Sequence, residues 1–119
     1  MNYPKLPPTF KKKWISALIS GTYRKGVGQL KYTNEKSKST YCCLGVAATI
    51  SKCEINDVQG YIRKNIAKSG KKLPEMLIGE NIVTHKLVCM NDGLADQSDA
   101  FTRKPQSFIK IAKWIKENL

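Results

Sequence analysis

The chain holds a few residues whose types and spacing could do chemistry. His85 and Cys89 stand four apart. On a helix that spacing brings an imidazole and a thiol onto one face, the start of a thiol nucleophile with its base. No third group that would orient the pair is readable beside them. Cys42 and Cys43 are adjacent, and Cys53 stands apart. Structural zinc takes paired ligands at short spacing, and neighbours on a strand point to opposite faces, so Cys42 and Cys43 do not make half of such a site. The packing reading puts one cysteine in the core and the other under a neighbouring helix. A vicinal disulfide across them would be strained, and a reducing cytosol works against it. Asn91-Asp92 with Asp96 and Asp99 lacks the glycine and glutamate positions of a calcium loop. Asn-Asp-Gly is instead a turn sequence. No catalytic residue, metal or cofactor is therefore assigned.

Charge is the stronger signal. Of 119 residues, the first 72 carry fifteen Lys and Arg against three acids, and residues 73–119 balance six against six. The whole net charge of +12 thus lies in the first 72 residues. Such a surface is suited to an anionic partner, and it disfavours a DNA mimic, which needs a negative surface. Three places concentrate the bases: Lys11, Lys12 and Lys13; the turn Tyr23-Arg24-Lys25 among Gly21, Gly26 and Gly28; and Arg63, Lys64 and Lys68. The glycine-rich turn fails the Walker pattern, since no Lys-Ser/Thr pair follows Gly26, and it follows a helix rather than a strand, unlike a dinucleotide fingerprint. It reads either as a phosphate cradle or as a connector into a hairpin. Lys11–Lys13 likewise read either as a solvated face or as an anion-binding edge.

The elements that position these residues follow from periodicity and punctuation. Residues 1–8 hold three prolines and read as an extended lead-in. Thr9 is the expected N-cap of a helix whose apolar face is Phe10, Trp14, Ile15, Leu18 and Ile19, ending at Ser20-Gly21. In the first turn Lys11–Lys13 oppose the helix dipole. Leu30–Thr33 and Thr40–Cys43 read as an antiparallel hairpin around the polar loop 34–39, and Cys43–Ser51 as a buried helix. Ile55, Val58, Ile62 and Ile66 predict a second amphipathic helix over 55–68, ended by Ser69-Gly70. Leu73-Pro74-Glu75 resembles a short helix start. Residues 81–90 are ambiguous; the favoured reading has Thr84 capping a helix over His85–Asn91 that stops at Gly93. After a polar loop over 94–106, Ser107 caps a last helix with Phe108, Ile111, Ala112, Ile115 and Leu119 on one face. The fold class is α+β: a small single domain over 1–119 with an N-terminal helix, a β-hairpin, and several helices packed on it. No apolar run approaches the ~20 residues of a membrane span, and the N-terminus lacks a secretory h-region. A cytosolic setting with reduced cysteines is expected.

Several blocks together carry a resemblance. Trp14-x2-Ala17-Leu18-x-Ser20-Gly21-x-Tyr23-x2-Gly26-x-Gly28-x-Leu30 is followed by Tyr41-Cys42-Cys43-Leu44-Gly45-Val46, then Leu73-Pro74, Met90-Asn91-Asp92-Gly93 and Ser107-Phe108-x2-Ile111-Ala112-x2-Ile115. This pattern resembles a widespread group of short, mostly uncharacterised proteins of tailed bacteriophages and prophages. The chain departs from it at Lys25, where glutamine is expected, and in a longer loop between Gly93 and Ser107. The resemblance implies a phage accessory protein acting in the host cytoplasm, and it brings no catalytic residues with it.

The expected function is non-enzymatic binding of an anionic ligand (a nucleotide, DNA or RNA) or of a host protein. Lys11, Lys12, Lys13, Tyr23, Arg24, Lys25, Arg63 and Lys64 would form the binding surface. Tyr23, Tyr32 and Tyr41 would offer stacking faces. Phage origin would make the role takeover of a host process or a counter to host defence. The alternatives are a small cysteine- or metal-dependent enzyme and a nucleic-acid-binding regulator.

Overall fold

A computed structural model describes residues 3–55, 60–71, 73–93 and 104–119. Its elements are α1 (Pro8–Ile19), β1 (Lys31–Thr33), β2 (Ser39–Tyr41), α2 (Cys43–Ile50), α3 (Lys64–Lys68), a 3-10 turn at Glu75–Leu77, α4 (Ile82–Asp92) and α5 (Phe108–Asn118). The fold is α+β, with the hairpin and, among the described residues, five helices around one core.

α2 is the centre of that core. Cys43 through Ala48 are all buried, and α1 and α4 both pack on this helix. Small residues allow the approach. A Cβ on Gly45 would fall onto the Leu30 carbonyl oxygen, so only glycine lets the chain entering β1 lie against the first turn of α2. α1 crosses to bury Trp14 completely, and the Trp14 indole N–H donates to the Cys43 carbonyl at 3.0 Å. A buried indole thereby keeps its polar atom satisfied while contributing its large apolar area.

α1 also pairs with α5, running the opposite way. Lys5 Nζ donates to the Asn118 carbonyl and Lys11 Nζ to the Lys116 carbonyl, each at 3.0 Å, while the Leu6 N–H donates to the Leu119 carbonyl at 2.8 Å. The last carbonyls of a helix lack partners of their own and carry its negative end. With α1 starting at Pro8, Lys11 is its fourth residue, and Lys12 and Lys13 lie past its first turn; Lys11 instead caps the terminus of α5, which gives its position a structural cause.

A two-stranded hairpin is marginal alone. Lys31 faces Tyr41 and Thr33 faces Ser39, and residues 24–26 join the free side of β2. The Gly26 N–H donates to the Tyr41 carbonyl at 2.7 Å and the Tyr41 N–H to the Arg24 carbonyl at 2.8 Å. The glycine-rich turn thus adds one parallel bridge to the free edge of the hairpin.

Some sequence expectations need correction. The cap of α1 is Pro7 rather than Thr9, with Pro8 inside the first turn, where its missing N–H costs nothing. The second strand ends at Tyr41. Cys42 is the N-cap of α2, its Sγ accepting from the Gly45 N–H at 3.3 Å, so the argument from opposite strand faces does not apply to Cys42 and Cys43. Asn81, not Thr84, caps α4, and Thr84 closes the capping box from the third helical position. The expected helix over 55–68 shrinks to Lys64–Lys68. Its middle cannot be helical because Ile62 bridges to Ile78, and the Ile62 carbonyl accepts from the Gly79 N–H at 2.7 Å. Val58 lies outside the described residues, as does most of the 94–106 loop, including Asp96 and Asp99. The stops at Gly21, Ser69 and Gly93, and the cap at Ser107, stand where the sequence puts them. No described helix is long and apolar enough to cross a membrane.

Candidate functional site

The glycine-rich turn docks on the C-terminal end of α4, and Asn91 makes the joint. Asn91 is fully buried. Its Oδ1 accepts from the Cys43 N–H at 3.1 Å, and its Nδ2 donates to the Gly26 carbonyl at 2.9 Å and to Asp92 Oδ1 at 2.8 Å. Asp92 Oδ1 also accepts from the Gly28 N–H at 3.1 Å. Lys25 Nζ donates to the Asn91 carbonyl at 2.6 Å. Burial lowers the Lys25 pKa below its ordinary 10.5, against the opposing pull of the Asp92 carboxylate. Asn91-Asp92 is therefore the end of a helix that fastens the turn, α2 and α4 together. Gly93 follows in the left-handed conformation, φ 79°.

This arrangement sorts the residues marked from the sequence. Lys11 and Lys25 are tied to backbone carbonyls. Tyr23 meets Tyr41 edge-on at 5.1 Å, and Lys31 Nζ stands 5.7 Å from the Tyr41 ring centre on the same residue. Both of those tyrosine rings are thus engaged internally, whereas Tyr32 is exposed on β1. Lys12, Lys13, Arg24, Arg63 and Lys64 are exposed. Lys36 and Lys38 are exposed in the hairpin loop, where Asn34 Oδ1 accepts from both of their backbone N–H groups at 2.9 and 3.0 Å.

Tyr23 and Lys25 do share one hollow. A depression of about 270 Å³ lies between the end of α1, the glycine-rich turn and the start of α5. Leu18, Ile19, Tyr23, Phe108 and Ile109 make it apolar, with Lys25 and Ser107 at its polar points. Lys64 and Lys68 line a separate, wider concavity with Leu73, Glu75 and Ile78. The three basic clusters thus serve different local surroundings.

The cysteines divide as well. Cys42 and Cys43 are sealed in the core, and none of the four cysteines is in a disulfide. Burial pushes the Cys42 thiol up to about 11 and Cys43 well above its usual 9.0. A nucleophile needs the thiolate, so both are held in the inert form. Cys89 differs: its Sγ lies 3.6 Å from His85 Nε2, and the Tyr61 hydroxyl lies 3.4 Å from His85 Nδ1. Tyr61 is a neighbour of His85 that sequence reasoning missed. It comes from a segment that reads as helix in the sequence, and only the fold brings it beside α4. Cys89 itself is 3 % exposed. Among the described residues no group of three or more His, Cys, Asp or Glu could hold a metal ion.

A family model, for a domain of unknown function (DUF8296), matches residues 6–70, so the chain belongs to that family. The matched stretch runs from the start of α1 through α3 and includes the hairpin and α2. No curated protein and no solved structure matches the chain.

Proposed function

We propose that this member of the DUF8296 family is a non-enzymatic binding protein that presents a basic surface to nucleic acid. The observation that supports this most is the confinement of the entire +12 charge to residues 1–72, with Lys12, Lys13, Arg24, Lys36, Lys38 and Lys64 exposed there. The exposed ring of Tyr32 offers a stacking platform on that same basic hairpin. On the resemblance to phage proteins, the role we propose is in a host cytoplasm, where covering nucleic acid or blocking a complex that handles it would counter host defence.

Counterion release provides the test. With about four phosphate contacts, affinity for a DNA duplex falls roughly a hundredfold between about 50 and 200 mM salt. In gel-shift titrations, each of Lys12→Ala, Lys13→Ala, Arg24→Ala and Lys64→Ala should reduce the salt slope by about one unit. Absence of any shift at low salt, for DNA and RNA alike, overturns the reading. Co-purification with an acidic host protein instead would give the surface a protein partner.

A thiol enzyme is the second reading, favoured by the 3.6 Å approach of Cys89 to His85. Cys89→Ser in the same titrations separates the two: binding unchanged supports the basic surface, and loss of function in a folded Cys89→Ser protein supports the thiol.

A further inference from the structure

The C-terminal half carries no net charge, yet three of its six bases line one cavity. The cleft between α4 and α5, about 270 Å³, is lined by Lys86 and Met90 from α4, by Gln106, and by Lys110, Lys113, Trp114 and Glu117 from α5. We propose that this cleft binds a mononucleotide, its phosphate on Lys110 and Lys113 and its base on the Trp114 ring.

Size, polarity and order along the helix all bear on this. Pockets for drug-sized ligands run from about 300 Å³ upward, so this one suits a small ligand and not a stretch of polymer. Lys110 sits in the first turn of α5, where a cation opposes the helix dipole and where no acid offsets it. A bound phosphate would answer the ammonium. Lys113 adds a second cation one turn on, and Trp114 follows. Tyr3 meets the Trp114 ring edge-on, 5.2 Å between centres at 72°, which fixes the indole while it still lines the cavity. Glu117 closes the far end, about 10 Å along the axis from Lys110. A carboxylate there repels a bare anion but accepts hydrogen bonds from an amino group or a ribose hydroxyl. Gln106 supplies both a donor and an acceptor. A cationic end, an aromatic wall and an acceptor end, in that order, match phosphate, base and base edge.

The two tryptophans make the test direct. Trp14 is 0 % exposed, so a fluorescence change on adding AMP reports Trp114. A saturable change is expected with AMP, and a much weaker one with inorganic phosphate. It should survive Trp14→Phe and vanish in Trp114→Phe. Lys110 and Lys113 are exposed, so replacing both by Ala leaves the core intact and should weaken AMP by about tenfold. Equal AMP affinity in that double variant, phosphate binding as tightly as AMP, or no saturable change in the wild type overturns the proposal. The cleft is independent of the basic surface. The triple variant Lys12→Glu, Lys13→Glu, Arg24→Glu should lose the DNA shift and keep the AMP response; loss of both would overturn the cleft as a separate site.

Discussion

Asn91 illustrates how much one amide can hold. It satisfies the Cys43 N–H at the start of α2 and the Gly26 carbonyl in the turn, two backbone groups 17 positions apart that have no local partner for the purpose. Removing the side chain strands both in a dry interior. Each stranded group costs about 1–3 kcal/mol, so Asn91→Ala should lose at least ~2 kcal/mol in urea denaturation, while Lys12→Ala is close to neutral. Cys42 gives a different signature. Its thiol keeps its proton in the folded protein up to about 11, against 9.0 in the unfolded chain. Between those values the native state binds more protons, so stability is complete below pH 9 and declines as pH rises through 11. The loss is on the order of 3 kcal/mol. Cys42→Ser keeps an acceptor for the Gly45 N–H and removes the titration, so its stability should fall less steeply across that range, with the buried Cys43 thiol left to titrate.

At the level of elements, α2 and α5 contrast in how readable they are. The α5 face of Phe108, Ile111, Ala112 and Ile115 is buried as its spacing demands, because an amphipathic helix with its own cap is a local matter. α2 depends on a neighbour: its first turn is pressed against the Leu30 carbonyl. Gly45→Ala should therefore cost about 1–3 kcal/mol or more in thermal unfolding, despite alanine's better helix propensity. The segment before α3 shows where periodicity misleads. Ile62 and Ile66 are both buried, as a helix would require, but the Ile62 backbone bonds to Gly79 instead. Apolar spacing reports which side chains go inside and says nothing of where the backbone hydrogen bonds go. The candidate site was half readable for the same reason. The exposure of Lys12 and Arg24 is a local property. The engagement of Lys25 depends on Asn91, 66 positions further on, and that of Lys11 on Lys116, 105 positions on.

For the whole molecule, the basic charge and the fold's closure meet at the pairing of α1 with α5. The same lysines that make the first residues so cationic also complete the last helix. This has a consequence in time. A ribosome delivers residues in order, at roughly 5–20 per second. Trp14 can find the Cys43 carbonyl as soon as α2 has emerged, but Lys5 and Lys11 must wait for the carbonyls of Asn118 and Lys116. For the several seconds between, α1 can pack on α2 but still lacks its α5 partner, and the ties of Lys5 and Lys11 remain unmade. Closure of the fold is thus coupled to the arrival of α5, the last element to leave the ribosome.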